Sequence, residues 1–192
     1  MDKLFIGLIG GFFGIFGLFL MRFAINATTQ SVRACNWPTV PGEITCLSFD
    51  ESTDSDSSTY HVIVRYRYTV LGQTYEGDRL AFGYPASNER PPHQAIFEKL
   101  KQASSVQVRY DPDNPQVSTL SCGIHRWLKS SIGFALAFIT FAVSFPVFMW
   151  TGAQMASLVS VLCVIFALGI TSQRDNVLLK NIKTWPGSGG YH

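Results

Sequence analysis

Unbroken apolar runs near both ends of the chain enclose a stretch in which apolar and polar residues alternate, and the two patterns predict different elements. From Leu4 to Met21, eighteen consecutive residues carry no charge and nearly all are apolar; Arg22 closes the run. From Ser130 to Gln173, forty-four more pass without an Asp, Glu, Lys or Arg. A helix needs about 20 apolar residues to cross a hydrocarbon core of roughly 30 Å. The first run therefore fits one span, and the second fits two joined by the turn-prone Thr151, Gly152, Ala153 and Gln154. The predicted transmembrane helices are residues 4–23, 131–150 and 155–171. No polar face recurs in them at helical spacing, as the helices of a soluble core would require. Trp127 and Trp150 bracket the second span as membrane-interface residues. Pro146 lies inside it, supplies no amide hydrogen to the ladder, and is expected to kink it.

The first run is read as an anchor rather than a cleaved signal peptide. Its apolar stretch exceeds the usual 7–15 residues, and Ala24-Ile-Asn-Ala27 is a poor cleavage site. Gly7, Gly10, Gly11, Gly14 and Gly17 fall largely on one face of this helix and contain two G-x-x-x-G pairs. Such a face lets another helix approach to backbone contact. Its occupant is either a second protein, including another copy of this chain, or the C-terminal spans of the same chain.

Between the spans, residues 24–129 form a soluble insert large enough for its own core. Tyr60, Val62, Val64, Tyr66, Tyr68 and Val70 alternate with His61, Ile63, Arg65, Arg67 and Thr69, the period of a half-buried strand. Leu71-Gly72-Gln73 turns into a hairpin partner, Thr74 to Phe82. Gly42 to Phe49 is a further strand, joined to the long one by the acidic, serine-rich loop from Asp50 to Ser58. That loop lacks the glycine and closing glutamate of a calcium-binding helix-loop-helix and is read as solvated. From Pro91 or Pro92 to Ala103 the pattern is helical, with Ile96, Phe97, Leu100 and Ala103 as its stripe. Val106, Val108 and Tyr110 alternate again, Asp111-Pro-Asp-Asn-Pro115 turns, and Val117 to Leu120 closes the unit. The fold class expected is three transmembrane helices with a small α+β insert built on a mostly antiparallel sheet, followed by a basic polar tail over residues 172–192.

Several segments have a recognisable order: Trp37-Pro-Thr-Val-Pro-Gly-Glu-Ile44, Tyr66-Arg-Tyr68-Thr-Val-Leu-Gly72-Gln-Thr-Tyr75-Glu-Gly77, Val106-Gln-Val-Arg-Tyr110-Asp-Pro112-Asp-Asn-Pro115 and Ser118-Thr-Leu120. In this order they resemble the bacterial family catalogued as domain of unknown function 3592, from roughly Asn36 to Gly123. The resemblance implies a prokaryotic membrane protein with a β-rich insert. It carries no catalytic residues, and it leaves the last span and the tail uncovered.

Composition narrows the chemistry. Only 15% of the 192 residues are charged and Phe occurs 15 times, which excludes a disordered chain and a strongly basic nucleic-acid binder. The insert holds ten Lys or Arg against eleven Asp or Glu, so it favours neither acidic nor basic partners. No nucleophile elbow, phosphate loop, dinucleotide fingerprint or His-Glu-x-x-His occurs, and no catalytic residue, metal or cofactor is expected. Cys122-Gly-Ile-His125 has metal-ligand spacing but lacks a second pair. His61, Arg65 and Arg67 share one strand face and are the candidate binding face, for an anion or a partner. Cys35 and Cys122 lie at the base of the insert, where a bridge is conceivable in an oxidising compartment; Cys46 would then be left over.

Three spans put the insert and the tail on one side. That side carries Arg22, Arg33, Arg126, Lys129, Arg174, Lys180 and Lys183 near the membrane, against Lys3 opposite. The positive-inside rule thus favours a cytoplasmic insert in a multi-pass protein of the bacterial inner membrane. The function expected is non-enzymatic: the insert binds a protein partner, or the chain self-associates, in a membrane complex. The alternatives are an immunity-type protein that shields the membrane from a toxin, and a membrane-bound enzyme of unknown reaction. Ser131, Thr140, Ser144, Ser157, Ser160 and Cys163 give the spans no acid or base, which weighs against the enzyme.

Overall fold

A computed structural model describes residues 3–54, 57–151 and 177–186, and these form two compact units, 3–28 with 126–151 and 29–125 with 177–186. The predicted span at 155–171, its preceding turn, and Ser157, Ser160 and Cys163 lie outside the described residues.

The first unit is built on two long helices. α1 spans Lys3–Arg33 and so runs twelve residues beyond the apolar run that ends at Met21; α2 (Arg90–Lys101) belongs to the second unit. α3 spans Arg126–Thr151 and continues through Pro146 as one element. Both are long and apolar enough to cross a membrane, by length and composition. Their outward surfaces are hydrocarbon. Phe12 is 68% exposed, Ile15 74% and Phe19 67% on α1, and Val143 is 65% exposed on α3. Water would penalise that surface. The hydroxyls of α3 turn inward on their own helix: Ser131 donates to the Trp127 carbonyl at 2.9 Å, Thr140 to Leu136 at 2.8 Å and Ser144 to Thr140 at 2.8 Å. A helix that satisfies its own polar groups in this way can sit in an apolar solvent.

The second unit is an antiparallel sheet with one long helix. Its strands are β1 (Thr39–Asp54), β2 (Ser57–Val70), β3 (Gln73–Gly77), β4 (Ala103–Tyr110), β5 (Ser118–Thr119) and β6 (Thr184–Pro186). The order is β3-β2-β1-β4-β5, with β6 also paired to β4. α2 spans Arg90–Lys101, with prolines in its first turn, where the missing amide costs nothing. It packs on β1, β2 and β4. The core is the apolar face read from the sequence: Val62, Val64, Tyr66, Tyr68 and Val70 are buried, with Ile96 and Leu100 of α2 and Val106 and Val108 of β4. On the other face of β2, Ile63, Arg65, Arg67 and Thr69 are exposed.

Four segments differ from the sequence reading. The Asp50–Ser58 loop is not a loop: apart from 55 and 56, which lie outside the described residues, it continues β1 and β2 as a paired arm from Asp50↔His61 to Asp54↔Ser57. No core lies under that arm, so hydrophobic period could not reveal it; backbone pairing and the Thr59 hydroxyl bond to the Ser52 carbonyl at 3.5 Å hold it. β3 ends at Gly77 rather than Phe82, because Leu80, Ala81 and Phe82 leave the sheet to plug its base. The last strand shrinks to Ser118–Thr119. Residues 177–186, read as polar tail, form a short helix α4 (Val177–Asn181) and β6, and bury Leu178 and Ile182 in this unit.

Candidate functional site

Local chemistry fixes the frame on which any site must sit. Leu71 and Gly72 both take positive φ (50° and 83°), the two-residue turn whose twist suits a hairpin, and β3 follows in register from Val70↔Gln73. Gly77 lies against the buried Tyr66 ring: a Cβ there would come within 2.5 Å of Tyr66 Cε2 and Ser118 Oγ. The Tyr66 hydroxyl donates to the Arg79 carbonyl at 3.0 Å and pairs with Ser118 Oγ at 3.1 Å. The Tyr68 hydroxyl donates to the Pro115 carbonyl. The Asp-Pro-Asp-Asn-Pro segment is closed by Asp113 N donating to Asp111 Oδ1 at 3.1 Å and by Val117 N donating to the Asn114 carbonyl at 2.9 Å. These motif residues therefore tie the hairpin to the closing segment. They are architecture, and burial pushes the Tyr66 and Tyr68 phenols up, away from proton chemistry.

The candidate binding face is only partly available. His61, Arg65 and Arg67 do share the exposed face of β2, but acids are interleaved with them. Arg67 is paired with Glu76 of β3 at 3.0 Å. His61 lies opposite Asp50 in the β1–β2 register and stacks on Tyr84 at 5.2 Å between ring centroids. Burial lowers the His61 pKa against the opposing pull of Asp50. An anion would meet carboxylates on both flanks of Arg65, so the face is a mixed-charge surface rather than an anion strip.

The metal reading of Cys122 and His125 does not hold. Cys122 is bonded to Cys35, and His125 is buried with its Nε2 2.8 Å from the Phe82 carbonyl. Among the described residues no three His, Cys, Asp or Glu gather as a metal site.

Sequence reasoning missed a cluster around His93. The side chain is fully buried at the start of α2; Nε2 is 2.7 Å from Ser87 Oγ, and Nδ1 bonds the Tyr84 hydroxyl, which also accepts the Val62 amide at 3.3 Å. Serine, imidazole and an orienting group in a row is the geometry of an activated nucleophile. The chemistry is not. Burial, helped by neighbouring His61, pushes His93 down to about 4, too weakly basic to take a serine proton at neutral pH. Tyr84 is held as a neutral phenol by its own burial and cannot support an imidazolium as a carboxylate would. Ser87 is pinned by its backbone to Tyr60 at 2.7 and 3.1 Å. The cluster clamps the 78–89 segment to β2 and α2. The signal available in the sequence was only a lone histidine after two prolines.

The open feature of the insert is the outer edge of β1. β4 pairs with β1 only from Thr39↔Arg109 to Gly42↔Val106. Two residues further on, a register shift between Ile44 and Cys46 leaves Thr45 out of the β1–β2 ladder, the kind of bulge that bends a strand. Beyond it, among the described residues, no strand lies beside this edge as far as Asp54. The gap is an open groove of about 390 Å³, lined by Ile44, Leu47, Phe97 and Leu100 with Cys46 and Lys101 at its rim.

In the first unit the glycine stripe divides. A Cβ on Gly10 would fall 2.7 Å from Pro146 Cγ, and one on Gly17 would fall 2.9 Å from Ile139 Cγ1 and 3.0 Å from the Ile139 backbone nitrogen. Gly14 faces Ala142 at 3.6 Å, whereas no described atom comes within 4 Å at Gly7 or Gly11. Gly10, Gly14 and Gly17 are thus filled by α3 of the same chain. Phe13 and Phe16 extend the contact through Phe138 at 5.8 and 5.1 Å. Trp127 stands in the first turn of α3 and Trp150 at its end.

The family model described as Domain of unknown function (DUF3592) matches residues 40–125, which take in the hairpin, α2, β4 and the closing segment. No curated protein and no solved structure matches the chain. Residues 40–125, which carry the tyrosine, glycine and Asp-Pro contacts described above, are therefore the DUF3592 segment of this chain.

Proposed function

We propose that the chain is a non-enzymatic, multi-pass integral protein of a bacterial inner membrane whose β-rich insert binds a protein partner by adding an extended segment to the outer edge of β1. The open edge from Glu43 to Asp54, beside the Ile44–Leu47–Phe97–Leu100 groove, carries this reading. A segment laid along it gains main-chain hydrogen bonds from the strand and a pocket for alternate side chains. The fitting partner sequence places apolar residues beside Ile44 and Leu47 and a Lys or Arg beside Asp50. Against an enzyme stands the absence, among the described residues, of an acid or base poised over this groove beyond Lys101 at its rim.

Membrane integration is supported by the two exposed apolar helices. A third crossing is supported by connectivity. β6 is hydrogen-bonded to β4, so the chain rejoins the insert after α3. If α3 crosses a bilayer, residues 152–176 must bring the chain back, and they are uncharged as far as Gln173. Site-specific photocrosslinking in intact membranes tests the partner. A photoreactive residue at Ser48 is expected to give one discrete protein adduct, and one at Thr69, on the other side of the sheet's second strand, none. No adduct from Cys46, Ser48 or Ser52 would contradict the reading.

A further inference from the structure

We propose that the insert folds in an oxidising compartment, so that residues 29–125 and 177–186 lie on the side of the membrane away from the cytoplasm. The observation is the Cys35–Cys122 disulfide, which joins residues 87 apart in sequence. Cys35 sits in the 3-10 turn (Ala34–Asn36) after α1, and Cys122 sits four residues before α3 begins. The surrounding fold brings them together without help from sulfur. Gly123 N donates to the Ser31 carbonyl at 3.1 Å, and Ser31 Oγ donates to the Gly123 carbonyl at 2.9 Å. Asn181 of α4 donates to the Cys122 carbonyl at 2.7 Å, and Arg109 to the Cys35 carbonyl at 3.2 Å. The two Cα atoms are thereby held 5.2 Å apart, inside the range a bridge needs.

Formation is ordinary exchange with a protein disulfide oxidant. The exposed Cys35 thiolate attacks the oxidant's disulfide, the buried Cys122 thiolate displaces the oxidant from that mixed disulfide, and the oxidant leaves as a dithiol carrying the two electrons. The same exposure of Cys35 lets a reducing thiol reach the bond. It therefore persists only where no reducing thiol pool is maintained, which the cytoplasm maintains and the opposite side does not.

The charge count points the other way, with seven basic residues on the insert side, yet it has little leverage here. The rule holds for short loops, up to about 60 residues, while long inserts are translocated largely regardless of charge. Moreover Lys180 and Lys183 belong to the folded α4–β6 segment rather than to a flank.

Two readouts on the full-length protein in membranes test the assignment. Cells are acid-quenched and the denatured protein is labelled with a maleimide-polymer before and after reduction. Two adducts are expected unreduced, from Cys46 and Cys163, and four after reduction; a Cys35→Ser/Cys122→Ser chain gives two in both. Alkaline phosphatase fused after Trp185 is expected to be active. Four adducts without reduction would overturn the proposal, and so would a bridged protein whose fusion is active only with a cytoplasmic reporter.

Discussion

At the residue scale, the insert depends on close approaches that admit no substitute. Gly77 is the sharpest, because the atoms its Cβ would meet belong to a fully buried ring and a hydroxyl bonded to it. Neither can retreat without breaking the Tyr66–Ser118 pair. Gly77→Ala is expected to cost about 1–3 kcal/mol, read as a lowered melting temperature of the detergent-solubilised protein. The histidines supply a pH signature. The folded pKa of His93 is lowered by burial to about 4 from 6.5, so the unfolded chain binds the proton more readily. Its contribution to stability is complete above pH 6.5 and is lost as pH falls from there toward 4. His61 and His125, also lowered by burial, act in the same direction. The melting temperature should therefore drop between pH 7 and pH 4.5, and His93→Gln should make that drop shallower; an unchanged slope would remove His93 from the account. None of this was legible in advance, because a lone histidine in sequence does not disclose which serine or tyrosine will face it.

At the element scale, the helices and the central hairpin follow from patterns with one dominant cause. The strict alternation through Val62–Val70 became strict alternation of burial, since a strand with one face on a core has no other arrangement. The polar arm beyond Asp50 escaped notice because it buries nothing, and β6 escaped because a three-residue strand has no period to read. The shift at Thr45 does mark the sequence, since the inward positions change from Val40, Gly42 and Ile44 to Leu47 and Phe49, but that change of parity does not disclose that pairing with β4 stops at Gly42. For α1 and α3, two effects of opposite sign meet at Gly17. Replacing a helical glycine by alanine gains up to about 1 kcal/mol of propensity, but here the new methyl meets the Ile139 backbone nitrogen at 3.0 Å. Backbone cannot swing aside as a side-chain tip can, so the clash wins. Gly17→Ala is expected to destabilise the α1–α3 pair by about 1–3 kcal/mol, measured by thermal unfolding in detergent; a gain in stability would show the two helices apart in solution.

At the scale of the whole molecule, the described residues make a sheet domain stapled by Cys35–Cys122 and two helices whose outer surfaces are phenylalanine, leucine and isoleucine. The 184–186 strand, by pairing with β4, makes the insert a product of chain from both sides of α3. Hydrocarbon is the solvent that the exposed faces of α1 and α3 require, and alkaline carbonate extraction of membranes expressing the full chain tests this most directly. The protein is expected to stay in the membrane pellet and to leave it only with detergent. Recovery in the carbonate supernatant would contradict the account.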